Sequence, residues 1–233
     1  MKVISFKICP FVQRVTALLE AKDIDYELEF IELSDKPEWF LDISPNGQVP
    51  VLVTDSGRSL FESETIVEYL EEAFPALQPE LSLEDKAINR AWSTLASKNY
   101  LLQCSAMSSP DRKALTKRSQ KLGEAFDEIE KQLGPTRFFG GETMGMVDIA
   151  WLTLLHRAEI IERRSGHDFV GDRPKLKSWQ KQIMDSELAE KSVPSDFEEA
   201  FASSYLSQET FLGRGGKPEE EDSRHAPSQG CCD

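Results

Sequence analysis

Residues 8–14 read ICPFVQR and mark the change from a strand to a helix near the start of the chain. The preceding stretch VISFKI (3–8) is β-branched and aromatic, which predicts a buried strand. Pro10 suits the first position of a helix, because it has no N–H to leave unpaired there. The predicted helix over 10–22 carries apolar residues on one face: Phe11, Val15, Leu18 and Leu19. The junction between strand and helix therefore falls at Cys9.

The rest of the N-terminal segment continues with strand and helix patterns. DYELEFIEL (25–33) alternates apolar and acidic residues, which predicts a half-buried strand and completes a βαβ unit. PEWFLDI (37–43) predicts a helical turn. VPVLVTDSGRSLFES (49–63) carries two apolar runs around a turn, which indicates a hairpin. SETIVEYLEEAF (63–74) predicts a closing helix, so that the order is βαβ followed by ββα.

Strand patterns stop after residue 80, and helical patterns follow. The first predicted helix covers about 83–107. The second is capped by Ser109, has Pro110 at its first position and runs to Leu133. A third, over 146–161, is apolar nearly all round, and a fourth covers 176–184. The end of the chain is rich in Gly, Pro and charged residues, which is typical of disorder. These patterns predict three parts: 1–77, an all-helical domain over 83–212, and a disordered tail over 213–233.

The composition limits the partners and the compartment. The 233 residues carry a net charge of −14, which argues against nucleic acid and against an anionic membrane surface. No apolar run approaches the roughly 20 residues needed to span a bilayer, and no export signal is recognisable at the start. We therefore expect a cytoplasmic protein with its cysteines as thiols, namely Cys9, Cys104, Cys231 and Cys232. No His, Cys, Asp or Glu cluster has the spacing of metal ligands, so we expect no metal.

Cys9 is the first candidate for chemistry. At a helix N-cap, unpaired backbone N–H groups and the helix dipole favour an anion, which predicts a thiol pKa below the ordinary value of about 8.5. The second cysteine of a dithiol site would stand three residues on, where the sequence has Val12. A reactive Cys9 would therefore be resolved by an external thiol. A buried packing cysteine is the alternative at this stage.

Two further motifs are candidates for binding. In NGQVP, a cis Pro50 would expose the backbone of Val49 as an edge that pairs with an extended peptide, although an ordinary turn has the same spacing. In FESET, Ser63 has the chemistry of a helix N-cap, and the same helix end would bind a carboxylate. Glu62 beside it would hold an ammonium. Carboxylate and ammonium together are what an α-amino-acid terminus presents.

Together these motifs resemble one known family. CPFVQR, KPEWF, SPNGQVPVL and FESETIVEYLEE, in this order and spacing, are similar to the cytosolic glutathione transferases, and most similar to the Omega class and the related dehydroascorbate reductases. The resemblance is dense over 1–77 and continues more weakly through FFGGETMGMVDIAW. It implies an α/β plus all-α architecture, with an N-terminal thioredoxin-like βαβ-ββα domain that binds glutathione and a C-terminal helical-bundle domain.

The resemblance also implies roles for particular residues. Cys9 would form a mixed disulfide with glutathione. The residues that would contact glutathione are Phe11, Lys36, Val49, Pro50, Glu62 and Ser63. The sequence departs from the family pattern at Gly145, where the family usually has Ser or Thr as the cap of its central helix. Asp148, three residues later, is interpreted as structural.

The favoured hypothesis is a glutathione-dependent thiol transferase or reductase of the cysteine type. It would act on a disulfide or a small electrophilic cosubstrate, with possible dehydroascorbate reductase activity and weak conjugation, as a homodimer. A non-enzymatic binding or regulatory protein of the same fold is the alternative. A halide-releasing or ring-cleaving transferase is a third hypothesis, because it would share the glutathione site.

Overall fold

The computed structural model describes residues 1–216. Its N-terminal domain contains a four-stranded mixed sheet in the order β2-β1-β3-β4. Strand β1 pairs in parallel with β2 and antiparallel with β3, and β3 pairs antiparallel with β4. The elements are β1 (Lys2–Ser5), α1 (Pro10–Ala21), β2 (Glu27–Phe30), α2 (Glu38–Ile43), β3 (Val51–Val53), β4 (Ser59–Phe61) and α3 (Ser63–Ala73). This confirms the predicted βαβ-ββα order.

Both faces of this sheet are covered. Apolar residues of α1 and α3 pack against Val3 and Leu52 on one face. On the other face Phe40 of α2 packs with Ile4 and Val51. Strand β2 lies at the edge of the sheet, and its Phe30 is 40% exposed. The alternation of residues 25–33 therefore overstated how much of this strand is buried.

The second half is all-helical. Its helices are α4 (Leu83–Met107), α5 (Arg112–Gln132), α6 (Met146–Ser165), α7 (Pro174–Asp185), α8 (Leu188–Lys191) and α9 (Phe197–Tyr205). Helix α6 is buried along most of its length and packs against α4, α7, α8 and α1. The contact between α6 and α1 connects the two domains directly behind the strand–helix junction. The apolar run over 146–161 thus correctly indicated the central helix.

The start of α5 differs from the sequence prediction. Asp111, and not Ser109, is its N-cap, and its Oδ1 accepts a hydrogen bond from the N–H of Ala114 at 2.7 Å. The Ser109 hydroxyl instead donates to the carbonyl of Ser105 at 3.4 Å. Pro110 lies before the helix. Ser109, Pro110 and Asp111 are all compatible with the start of a helix. Of their side chains, the Asp111 carboxylate is the one that accepts a hydrogen bond from an N–H of the first turn.

The described chain ends at residue 216, in turns that bury Phe211 and Leu212. The N–H of Gly216 donates to the carbonyl of Phe211 at 3.0 Å. Most of the predicted tail, 217–233 with its two cysteines, lies outside the described residues. No helix within residues 1–216 is long and apolar enough to cross a membrane.

Candidate active site

Cys9 occupies the junction that the sequence indicated. It is the N-cap of α1, with φ −71° and ψ 123°, and its own N–H donates to the carbonyl of Phe6 at 2.9 Å. The residue is half-buried. Its Sγ lies 4.0 Å from the carbonyl oxygen of Val49, 40 residues away in the chain. The fold thus brings together two of the residues that were chosen from separate motifs.

The acidity of this thiol differs from the prediction. Burial raises the pKa of Cys9, while the nearby N–H groups of Val12 and Phe11 at the helix N-terminus and the positive charge of Arg157 act to lower it. Burial is the largest of these effects, so the expectation of a lowered pKa was wrong for the ligand-free protein. The helix end does favour the thiolate, but the surrounding apolar side chains remove water that would stabilise a charge.

A cleft of about 80 Å³ opens beside Val49, the residue whose carbonyl lies near the Cys9 sulfur, and Cys9 is not among the residues that line it. It is lined by Phe11, Asn46, Gln48, Val49, Pro50, Glu62 and Ser63. The Val49–Pro50 peptide bond is cis. The Ser44 hydroxyl fixes this loop, since it accepts a hydrogen bond from the N–H of Gln48 at 3.0 Å and donates to the Gln48 carbonyl at 2.9 Å. Residues from the start of α1, the loop before β3 and the start of α3 therefore share one cleft.

Glu62 and Ser63 form the polar end of the cleft. Glu62 has a positive φ of 67° and is the N-cap of α3, whereas Ser63 is the first helical residue and is buried. The prediction of Ser63 as N-cap was therefore displaced by one residue. Asn46 Nδ2 donates to Glu62 Oε1 at 2.8 Å. A positive φ in a glutamate is a strained conformation of the kind that clusters at binding sites.

Lys36 lies on the far side of the same loop. A Cβ added at Gly47, which has a φ of +61°, would stand 3.8 Å from the Lys36 Nζ. The ammonium is thus next to the loop that precedes Val49, although it does not line the cleft. It supplies a positive charge near the cleft.

The sequence reasoning missed a buried polar cluster behind Cys9. Gln13 Nε2 lies 2.9 Å from Nδ1 of His156, and Gln13 Oε1 accepts a hydrogen bond from Arg157. Arg157 Nη2 also donates to the carbonyl of Ile8 at 3.2 Å. The signals in the sequence were one glutamine, Gln13, inside the apolar pattern of α1, and a histidine and an arginine inside that of α6. Their pairing across more than 140 residues could not be identified from these signals.

Asp148 has the structural role that was expected. It is fully buried and accepts hydrogen bonds from the N–H groups of Phe139 at 2.9 Å and Gly145 at 2.8 Å, and from Trp179 Nε1 at 2.7 Å. Burial raises the pKa of its carboxyl, and the three donors act in the opposite direction.

Gly145 is the N-cap of α6, and the structure shows why a larger residue would be crowded there. A Cβ at this position would lie 2.2 Å from the side-chain oxygen of Gln78, which comes from the linker between the domains. A serine or threonine cap would therefore require the end of the Gln78 side chain to move.

The N-terminal domain has a thioredoxin-like topology, with a cysteine at the start of its first helix and a cis-proline loop beside it. An all-helical domain follows it. The protein is therefore of the class in which a thioredoxin-like thiol site is joined to a helical bundle. Family comparisons are specific. Residues 3–80 match the N-terminal domain model of glutathione S-transferases, and residues 112–180 match the C-terminal domain model. The chain belongs to the glutathione S-transferase family, and its predicted fold class is confirmed.

Individual relatives agree with this assignment. The chain is 33% identical to glutathione S-transferase omega-1 of Rattus norvegicus over 193 residues, 81% of this chain and 78% of the relative. It is 34% identical to glutathione S-transferase DHAR2 of Arabidopsis thaliana over 152 residues, 65% and 68% of the two chains. A solved glutathione S-transferase from Methylobacillus flagellatus, described with GSH bound, superposes with a TM-score of 0.70 at 26% identity, covering 83% and 98%.

Within residues 1–216 no group of three or more His, Cys, Asp or Glu side chains is arranged to hold a metal ion.

Proposed function

We propose that this protein is a glutathione-dependent thiol transferase in which Cys9 carries glutathione as a mixed disulfide. The observation that carries the proposal is the position of the Cys9 sulfur, at a helix N-terminus and 4.0 Å from the Val49 carbonyl, beside the cleft. The position one helical turn further on, where a dithiol site would have its second cysteine, holds the buried Val12. The electrons for resolution therefore come from a second molecule of thiol.

The cleft suits the ends of a glutathione molecule. The N–H groups at the start of α3, with Ser63, would hold the α-carboxylate of the γ-glutamyl end, and Glu62 would hold its ammonium. The Val49 backbone would pair with the cysteinyl part, which places the glutathione sulfur near Cys9. Lys36 would attract the glycyl carboxylate. Phe11 would form the apolar wall beside the sulfur.

The reaction is two successive thiol–disulfide exchanges. The Cys9 thiolate attacks the glutathione sulfur of a mixed disulfide R–S–S–G, forms the Cys9–S–S–G bond and releases RS⁻, which takes up a proton. The thiolate of a second glutathione then attacks the glutathione sulfur of that intermediate. This step yields oxidised glutathione and regenerates the Cys9 thiolate. The resulting kinetics are ping-pong.

Reduction of dehydroascorbate is a related activity that the relatives of the DHAR type support. There two glutathione molecules supply two electrons and two protons, and the products are ascorbate and oxidised glutathione. The cytoplasm, where glutathione is reduced, is the compartment that fits this chemistry. A homodimer stays a prediction, and apolar side chains exposed on α4, namely Leu83, Ile88 and Leu101, support it.

The proposal is tested by thiol transferase assays on wild type, Cys9→Ser and Cys104→Ser. We expect Cys9→Ser to lose the activity and Cys104→Ser to keep it. Conjugation of glutathione to a strong electrophile should be weak in the wild type. Full thiol transferase activity in Cys9→Ser would overturn the proposal. Calorimetry with millimolar glutathione separates the proposed transferase from a binding or regulatory protein that has lost the glutathione site, because the latter would show no binding.

A further inference from the structure

Arg157 is a buried cation that has no carboxylate to neutralise it. It lies on α6 with 0% of its surface exposed, and within residues 1–216 its guanidinium forms no ion pair with an acidic side chain. Burying an ion costs several kcal/mol, and a missing counter-charge leaves that cost uncompensated. An anion formed next to Arg157 would supply the missing counter-charge.

The contacts of Arg157 connect it to the backbone that carries Cys9. Its Nη2 donates to the carbonyl of Ile8 at 3.2 Å, directly before the cysteine. Its Nη1 donates to the carbonyl of Thr153 at 3.1 Å and to the Gln13 side chain, and the guanidinium lies 5.4 Å from the ring centre of Phe197. All of these partners are neutral. The Nε–H is buried and has no hydrogen-bond partner.

Four side chains around Arg157 become anions when they lose a proton. They come from three directions: Cys9 at the start of α1, Tyr100 and Cys104 on α4, and Tyr205 on α9. Three of them already have other partners, since the Tyr100 hydroxyl donates to the carbonyl of Ala150 at 2.6 Å and Tyr205 interacts with Cys104. Arg157 also holds the backbone directly before Cys9, through its hydrogen bond to the carbonyl of Ile8. Cys9 is the thiol at a helix N-terminus, where two N–H groups also favour the thiolate.

We propose that Arg157 is the positioning residue for the Cys9 thiolate, to which it supplies the counter-charge and whose backbone it holds through Ile8. The inference rests on the proposed role of Cys9 as the reacting thiol. It adds that the cation comes from the helical domain, so that the thioredoxin-like domain alone does not contain the complete thiol site. The charge also offsets the burial that otherwise keeps this thiol protonated.

The first test measures ionisation without any use of glutathione. The rate of alkylation of Cys9 by iodoacetamide is followed from pH 5 to 10 by peptide mass spectrometry, in wild type, Arg157→Gln and Arg157→Lys. We expect Arg157→Gln to lower the rate at neutral pH about tenfold, the effect of one pKa unit, and to move the midpoint to higher pH. Arg157→Lys, which keeps the charge, should recover much of the rate.

Several outcomes would overturn the proposal. A merely structural arginine would lower the midpoint of urea unfolding in both variants and leave the pH profile of Cys9 unchanged. Equal shifts in Arg157→Lys and Arg157→Gln would show that the charge is not responsible. A shift in the alkylation profile of Cys104 with none in that of Cys9 would assign the anion to the other thiol.

A second measurement leaves Arg157 unchanged, so it can be made even if the Arg157 variants do not fold. The Nε–H signal of Arg157 is followed by nitrogen NMR through a pH titration of wild type and of Cys9→Ser. We expect the signal to titrate at the alkylation midpoint in wild type and to stay flat in Cys9→Ser. A flat signal in wild type overturns the inference. A titrating signal together with no glutathione adduct on Cys9 would overturn the proposed glutathione transfer but would still support the pairing of Arg157 with the Cys9 thiolate.

Discussion

Substitution of Asp148 by asparagine tests how the helical domain holds the segment that leads into α6. The carboxylate accepts three hydrogen bonds in a fully buried site, from Phe139, Gly145 and Trp179. An asparagine has nearly the same shape but keeps one acceptor oxygen. If that oxygen accepts the hydrogen bonds from Phe139 and Trp179, the amide NH₂ faces the N–H of Gly145. Both of these groups are donors, so neither finds an acceptor there.

The expected cost follows from these contacts. Leaving a buried donor without a partner costs about 1–3 kcal/mol, and bonds to a charged acceptor are worth more than bonds to a neutral one. Against this, the neutral amide relieves the burial of a charge, which is the effect that raises the pKa of Asp148. We therefore expect Asp148→Asn to lower the free energy of unfolding by about 2–3 kcal/mol.

Urea unfolding followed by tryptophan fluorescence measures this cost, because Trp151 and Trp179 lie in the affected core. Asp185→Asn is the matched control, since that carboxylate forms only an exposed ion pair with Lys181 near the end of α7. It should change the stability by less than about 0.5 kcal/mol. An equal, small effect of both substitutions would refute the reasoning on Asp148.

Three further predictions concern the candidate active site. Lys36→Ala should raise the KM for glutathione about fivefold with little change in kcat, because it removes one charge contact made by a half-buried lysine; an unchanged KM would remove Lys36 from the site. Val12→Cys should let the protein close an internal disulfide with Cys9, so that treatment with oxidised glutathione leaves no stable adduct; a persistent adduct would contradict the assigned spacing. Because burial raises the pKa of Cys9, alkylation of the ligand-free protein should still be accelerating at the ordinary cysteine pKa of about 8.5, and a plateau below neutral pH would contradict this.

Local features of the sequence were sufficient to predict most of the fold. The order of strands and helices, the N-cap position of Cys9 and the central helix each follow from patterns within about twenty residues. Boundaries were wrong where neighbouring residues compete for one role. Ser109 and Asp111 both suit the start of α5, and Glu62 takes the cap position that Ser63 was expected to hold.

Properties that depend on distant residues could not be predicted. The pKa of Cys9 is set by how deeply the two domains bury it, and the helix end that suggested a lower value is only one contribution. The partnership of Gln13 with Arg157 joins positions 144 residues apart in the chain. The glycine cap of α6 becomes understandable only when the side chain of Gln78 is seen to lie over it.

The proposed function is tested most directly by intact-protein and peptide mass spectrometry after incubation with oxidised glutathione, on wild type, Cys9→Ser and Cys104→Ser. We predict one glutathione on Cys9 in wild type and in Cys104→Ser, removable by reduced glutathione, and no adduct at position 9 in Cys9→Ser. A wild-type protein that stays unmodified at Cys9, or that carries its reversible glutathione only on another cysteine, would contradict the role of Cys9 as the carrier.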